Sequence, residues 1–279
     1  MTVGRSTARA GGTRGAAAGM LLLAMAPGLA GAADPPPAIA ELLDRPYLDD
    51  YQSSVVLGWR IVVETERYAA RYAGNRMRCV HCHLDGGTRP GALPLDVAGL
   101  YPKWRAKNGQ LNDLGRRIRE CFVYSLDGVM PPAEAPEVTA TAAYIHHLSR
   151  GRVIGDEVPG RGVPTLAATG YDPNPADGRE VYRRQCAPCH GESGGGTPET
   201  VPPVWGSGSF NQGSGMYQLP LLAGFIHANM PPGEGARLTP QQAWDVAAFL
   251  RQQLRPADPR ESRLGKMVEK LIRLAAPGS

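Results

Sequence analysis

Hydrophobic positions recur at helical spacing in two blocks of this chain, and in each block a Cys-x-x-Cys-His pentapeptide follows the first helix. Between Ser53 and Tyr72, Val55, Val56, Trp59, Val62 and Val63 recur at three- and four-residue steps, which predicts an amphipathic helix. Cys79-Val80-His81-Cys82-His83 comes next, then a Gly/Pro-rich loop from Gly86 to Pro94. A helix is expected from near Asn112, as N-cap, to about Leu126, and an Ala-rich one from Pro136 to Leu148. After a Gly- and Pro-punctuated stretch from Gly151 to Asn174 the plan repeats. Asp177 to Gln185 reads as a short helix and runs into Cys186-Ala187-Pro188-Cys189-His190. Gly191 to Gly215 is a Gly/Ser-rich loop, Leu219 to Ala228 a short helix, and Thr239 caps a helix from Pro240 to about Gln253. The repeat reaches further: Met130-Pro131-Pro132 answers Met230-Pro231-Pro232, and an aromatic, Tyr144 or Trp244, stands fourteen residues beyond each Met.

The N-terminus has another pattern. Arg5, Arg9 and Arg14 precede an apolar run from Ala16 to Ala26, and Ala30-Gly31-Ala32 fits a small-x-small cleavage site. Residues 1–32 therefore read as a Sec-type export signal, too short to span a bilayer. The expected product is periplasmic, without stable membrane insertion. The leader also explains the charge: the chain is formally +4, but removing three leader arginines leaves 27 basic against 26 acidic side chains. That balance gives no support for nucleic-acid binding.

Two Cys-x-x-Cys-His motifs behind an export signal predict two covalent haem c groups. Two thiols at this spacing reach the two vinyl groups of one haem, and the adjacent His meets the iron. Cys79, Cys82 and His83 would hold the first haem, and Cys186, Cys189 and His190 the second. Aromatics make up only 6% of the chain against 35 glycines and 26 prolines, so a large apolar cofactor would supply bulk that the side chains lack. The expected fold is all-α, with two cytochrome c domains in tandem. The expected division is residues 33–155, a linker over 156–172, a second domain over 173–255, and a charged tail over 256–279 with one amphipathic stretch from Leu264 to Leu274.

The opposite face of each iron is open at this level. In the second unit Met230, Met216 and His227 are candidates, Met230 being favoured by its fixed Pro-Pro context. In the first unit the repeat nominates Met130, and cysteine arithmetic nominates Cys121, the one thiol outside the two motifs. Arg117, Cys121 and Ser125 lie four residues apart and share one helix stripe. A cation one turn from a thiol favours the thiolate and can hold an anion beside it. Lys103, Arg105, Lys107, Arg116 and Arg119 add charge nearby, several of them expected on a solvated face.

Gly74-Asn75, Cys79 to Leu84, Pro94-Leu95, Tyr101-Pro102, Arg117-Ile118, Cys121-Phe122, Ser125, Pro202 to Gly206, Gly215-Met216 and Asn229-Met230-Pro231 together resemble the two-haem thiosulfate dehydrogenases, which form tetrathionate or, in some relatives, favour the reverse reaction. The resemblance implies a first haem held by His83 and Cys121 as the active site, with Arg117 orienting substrate. It implies a second haem with His190 and Met230 that passes electrons to a periplasmic acceptor such as a small cytochrome c or a high-potential iron-sulfur protein. Ser125-Leu126-Asp127-Gly128 departs from the family pattern and brings Asp127 near a site meant for dianions. The alternatives are a non-catalytic two-haem electron carrier and a subunit of a Sox sulfur-oxidising complex.

Overall fold

The computed structural model describes residues 1–2, 34–106, 108–198, 200–233, 238–261 and 267. Residues 3–32 of the expected export signal and the stretch from Leu264 to Leu274, apart from Met267, lie outside the described residues. The fold is helical: α1 (Pro37–Leu43), α2 (Asp50–Val63), α3 (Leu114–Tyr124), α4 (Pro136–Leu148), α5 (Pro175–Val181), α6 (Leu219–Asn229) and α7 (Pro240–Gln252). One small antiparallel hairpin joins β1 (Lys103–Arg105) to β2 (Gln110–Asn112), with Lys103 opposite Asn112 and Arg105 opposite Gln110. None of the helices among the described residues is long and apolar enough to cross a membrane.

In the first unit α2 packs along α4. Val55, Val56, Ile61, Val62 and Val63 of α2 meet Val138, Tyr144 and Ile145 of α4 in the core. Gly58 makes this crossing possible, because a Cβ there would come within 2.0 Å of the Ala140 carbonyl. Backbones can approach that closely only where no side chain stands between them. The second unit repeats the device where α5 packs on α7: a Cβ at Gly178 would lie 2.0 Å from the Asp245 carbonyl. Gly58 and Gly178 thus extend the internal repeat into packing.

α2 begins with a capping box. Asp49 Oδ1 accepts from Gln52 N at 2.7 Å, and Gln52 Oε1 accepts from Asp49 N at 3.2 Å. The helix ends at Val63 rather than continuing to Tyr72, and a separate turn covers Thr65–Tyr68. Thr65 is buried just beyond that end. Its hydroxyl donates to Ile61 O at 2.7 Å and accepts from Cys79 N at 3.1 Å, so the helix end docks the first haem motif. α3 is capped by Asp113, whose carboxylate accepts from Arg116 N at 2.6 Å. Asn112, expected as the cap, is instead buried in β2 and donates to Glu120. α5 stops at Val181, and a wider turn over Tyr182–Cys186 delivers the second motif.

The two units share a polar seam. Asn75 Nδ2 donates to Ser209 O at 2.9 Å, and Asn229 Nδ2 to Gly91 O at 3.2 Å. Asn211, fully buried, donates through Nδ2 to Val123 O at 2.8 Å and to Asp127 Oδ1 at 2.9 Å. A buried amide with three of its bonding positions used is a strong orientational lock. It sets the two helical groups against each other.

Candidate functional site

Each Cys-x-x-Cys-His motif opens onto its own cavity. The first, of about 300 Å³, is lined by Cys79, Cys82 and His83 together with Arg117, Cys121 and Ser125. The second, of about 110 Å³, is lined by Cys186, Cys189, His190, Met216 and Met230. Met77 and Cys82 line both, so the cavities share a wall.

The residues of both cavities fit a covalent haem. His83 Nδ1 is engaged by the Leu93 carbonyl, and His190 Nδ1 lies 3.0 Å from the Pro202 carbonyl. In each ring the backbone occupies one nitrogen and leaves Nε2 for a metal, which is the usual second-sphere arrangement of a ligating histidine. Burial lowers the His83 pKa to about 4 against the opposing Leu93 bond, with Arg117 adding to the depression, and burial also lowers that of His190. Both shifts favour the neutral imidazole that a ligand must be. Burial pushes the Cys79 and Cys82 thiols up to about 11 and about 12, which suits uncharged sulfur in an apolar wall.

α3 brings the expected stripe together: Arg117 and Cys121 on the helix, Ser125 at its C-cap, all facing the first cavity. The Cys121 sulfur is the largest influence raising the Arg117 pKa, ahead of Tyr101 and Glu120. Ser125 Oγ also lies 3.5 Å from Ser214 Oγ of the second unit. Met130 behaves differently. It is 40% exposed and does not line the cavity. Arg119 Nε donates to Pro131 O at 2.7 Å and pins the Met-Pro-Pro turn away from it. In the second unit Met216 and Met230 both face the cavity, whereas His227 does not. Asp127, expected near the anion site, does not line it; its carboxylate is turned to Asn211.

The expectation of a solvated cationic face needs a further correction. Lys103 and Arg105 line the first cavity, as do Tyr101 and Arg161. The hairpin is held there by buried Glu120, whose Oε1 accepts from Asn108 Nδ2 at 2.8 Å, Asn112 Nδ2 at 3.1 Å and Arg116 Nε at 3.4 Å. Lys103 and Arg105 are two apart on β1 and share a face, while Trp104 and its cross-strand partner Leu111 point outward, each 62% exposed. The alternation Tyr101-x-Lys103-x-Arg105 is a signal that could have been read as a strand. Arg161 has no local signal. Among the described residues, Lys103, Arg105, Arg117 and Arg161 form no ion pair with a carboxylate. Four cations around one largely apolar cavity suit a multiply charged anion, the propionates of a bound haem included.

Comparison with known proteins agrees with this chemistry. Residues 65–154 match the family described as SoxA/TsdA, cytochrome c domain, and residues 173–250 match that described as Cytochrome C oxidase, cbb3-type, subunit III. The chain is 42% identical over 217 residues to the thiosulfate dehydrogenase of Thiomonas intermedia (strain K12), covering 76% of this chain and 69% of the relative. It is 36% identical over 245 residues to that of Allochromatium vinosum, covering 83% and 90%. The solved thiosulfate dehydrogenase (TsdBA) from Marichromatium purpuratum in its "as isolated" form superposes with a TM-score of 0.75 at 35% identity, over 83% of this chain and 52% of that one. This chain thus spans about half of that solved chain. Two tandem cytochrome c domains, each with a covalent haem c, follow from these matches.

Proposed function

Since this chain belongs to the thiosulfate dehydrogenase family, we propose that its first cavity is where two thiosulfate dianions are joined through sulfur, giving one tetrathionate dianion and two electrons. The observation that supports this reading above the others is the meeting of Cys121 with Arg117 and three further cations, Lys103, Arg105 and Arg161, in the cavity that also holds His83. The charge balance fits: four negative charges enter, two remain on the product, and two leave as electrons. When bound, the haems supply one-electron couples, with the first poised lower by an anionic thiolate ligand and the second higher by a neutral thioether.

In this reading His83 and the Cys121 thiolate would hold the iron of the first haem, and His190 and the Met230 thioether that of the second. The active unit is taken as residues 33–155, the electron-delivering unit as 173–255, with 156–172 between them. Arg117 anchors one thiosulfate beside the Cys121 sulfur, and Ser125 offers a hydroxyl at the same wall. The lining is largely apolar, so the cations act on the anion in a medium that screens them less than bulk water does. The second unit would deliver electrons to a periplasmic protein such as a small cytochrome c or a high-potential iron-sulfur protein.

The decisive experiment is thiosulfate oxidation by the purified two-haem protein with an artificial electron acceptor. Wild type is expected to turn over. Cys121→Gly is expected to keep both haems, since Cys121 lies outside the attachment motifs, and to lose turnover. Wild-type activity in Cys121→Gly would leave an electron carrier as the better description.

A further inference from the structure

The segment joining the two units is laid against the loop that orients His83. Gly160 O accepts from Gly91 N at 2.8 Å, and Gly162 O accepts from Leu93 N at 2.9 Å. Leu93 is the residue whose carbonyl engages His83. The glycines on either side of Arg161 have φ of 68° and 79°, a conformation that costs other residues energy. A Cβ at Gly160 would also come within 2.7 Å of Pro90 Cβ. Arg161 is thus held between two backbone bonds, and it lines the mouth of the first cavity while remaining exposed to solvent.

Its neighbours along the cavity wall are cationic as well. Arg117 and Arg105 both act on Tyr101, opposing the rise that burial causes in its phenol. Lys103 feels burial first, then Arg161, then Arg105. Tyr101 thus has Arg117 and Arg105 as its cationic neighbours, and Lys103 has Arg161 and Arg105. Like charges lining one cavity repel one another, and an anion between them relieves that repulsion. The reaction needs two dianions in one cavity at once, and a single arginine beside Cys121 can neutralise only part of one.

We propose that Arg161 and Lys103 form an outer anion subsite at the mouth of the first cavity, which holds the second thiosulfate while Arg117 holds the first. The proposal rests on the function argued above and adds where the second substrate sits. In the product, one sulfonate of tetrathionate occupies each subsite. Arg161 is a binding residue that the linker, not the haem unit itself, provides.

The test uses the full two-haem protein in its oxidised state with tetrathionate as the probe, which binds without electron transfer. Calorimetric titration of Arg161→Gln should show Kd raised about tenfold, the loss of roughly one charge-assisted contact. Thiosulfate KM should rise in parallel with kcat little changed, because Cys121 and Arg117 are untouched. Arg161→Lys should recover most of the binding. Arg67→Gln, which removes an exposed charge remote from the cavity, should bind as wild type does. Unchanged tetrathionate binding in Arg161→Gln, or equal weakening in Arg67→Gln, overturns the outer subsite while leaving the thiosulfate reaction standing. A wild-type protein that neither binds tetrathionate nor oxidises thiosulfate overturns both.

Discussion

Asn211→Ala tests whether the seam between the two units depends on one buried amide. The side chain is fully buried, donates to Val123 O and Asp127 Oδ1, and accepts from Gly213 N at 3.0 Å. The bond to the Asp127 carboxylate is charge-assisted, about 1.5–3 kcal/mol, and each neutral one is about 0.5–1.5 kcal/mol. Together they predict a loss of about 3–5 kcal/mol, because alanine leaves all three partners without the amide. For a chain of this size that lowers the thermal midpoint by roughly 10 °C. Asp127→Asn keeps an acceptor at the same place and removes only the charge, so it should cost about 1 kcal/mol. The assay is thermal unfolding followed by circular dichroism, with haem content checked beforehand; both covalent haems should remain, as neither residue belongs to an attachment motif. A midpoint for Asn211→Ala within about 2 °C of wild type would refute the reasoning, since it would mean that the buried amide is replaced by water at no cost.

The paired substitution Cys79→Ala with Cys82→Ala should reduce haem that resists acid-acetone extraction from two groups per chain to one, and a count still at two would contradict the assignment of the first motif. Met230→Gly should lower the reduction potential of the second haem, because it removes a neutral thioether ligand that favours ferrous iron, while Met216→Leu should leave it near the wild-type value. The reverse pattern in potentiometric titration would make Met216 the ligand, both sulfurs being at the wall of that cavity.

Much of this protein is legible in one dimension, where the chemistry is local. Each haem motif is five consecutive residues, so Cys79 to His83 and Cys186 to His190 can be read without any knowledge of folding. The helices from Pro136 and Pro240 begin where expected, because Pro at the first position, joined at Thr239 by a side-chain cap, marks a start locally. The stripe of Arg117, Cys121 and Ser125 is likewise a consequence of helical pitch alone. Gly58 and Gly178 were open to the same kind of reading, but what they permit is an approach between helices distant in sequence, and no local pattern expresses that.

Only the tertiary structure could decide the rest, because the deciding contacts join residues far apart along the chain. The repeat makes Met130 equivalent to Met230, yet Arg119 holds one Met-Pro-Pro turn outward while the other faces its cavity. Asp127 is an acid near an anion site by sequence distance alone; in space it is bound by Asn211, 84 residues away. Lys103 and Arg105 pass for a solvated charge run until Glu120 docks their hairpin over the cavity. Arg161 comes from a stretch that reads as a linker, and two backbone bonds to Gly91 and Leu93 bring it to the mouth of the first cavity. Haem attachment is covalent chemistry between neighbours and so survives in sequence. The electrostatic field around the first cavity is a sum over distant elements, and the chain must fold before that sum exists.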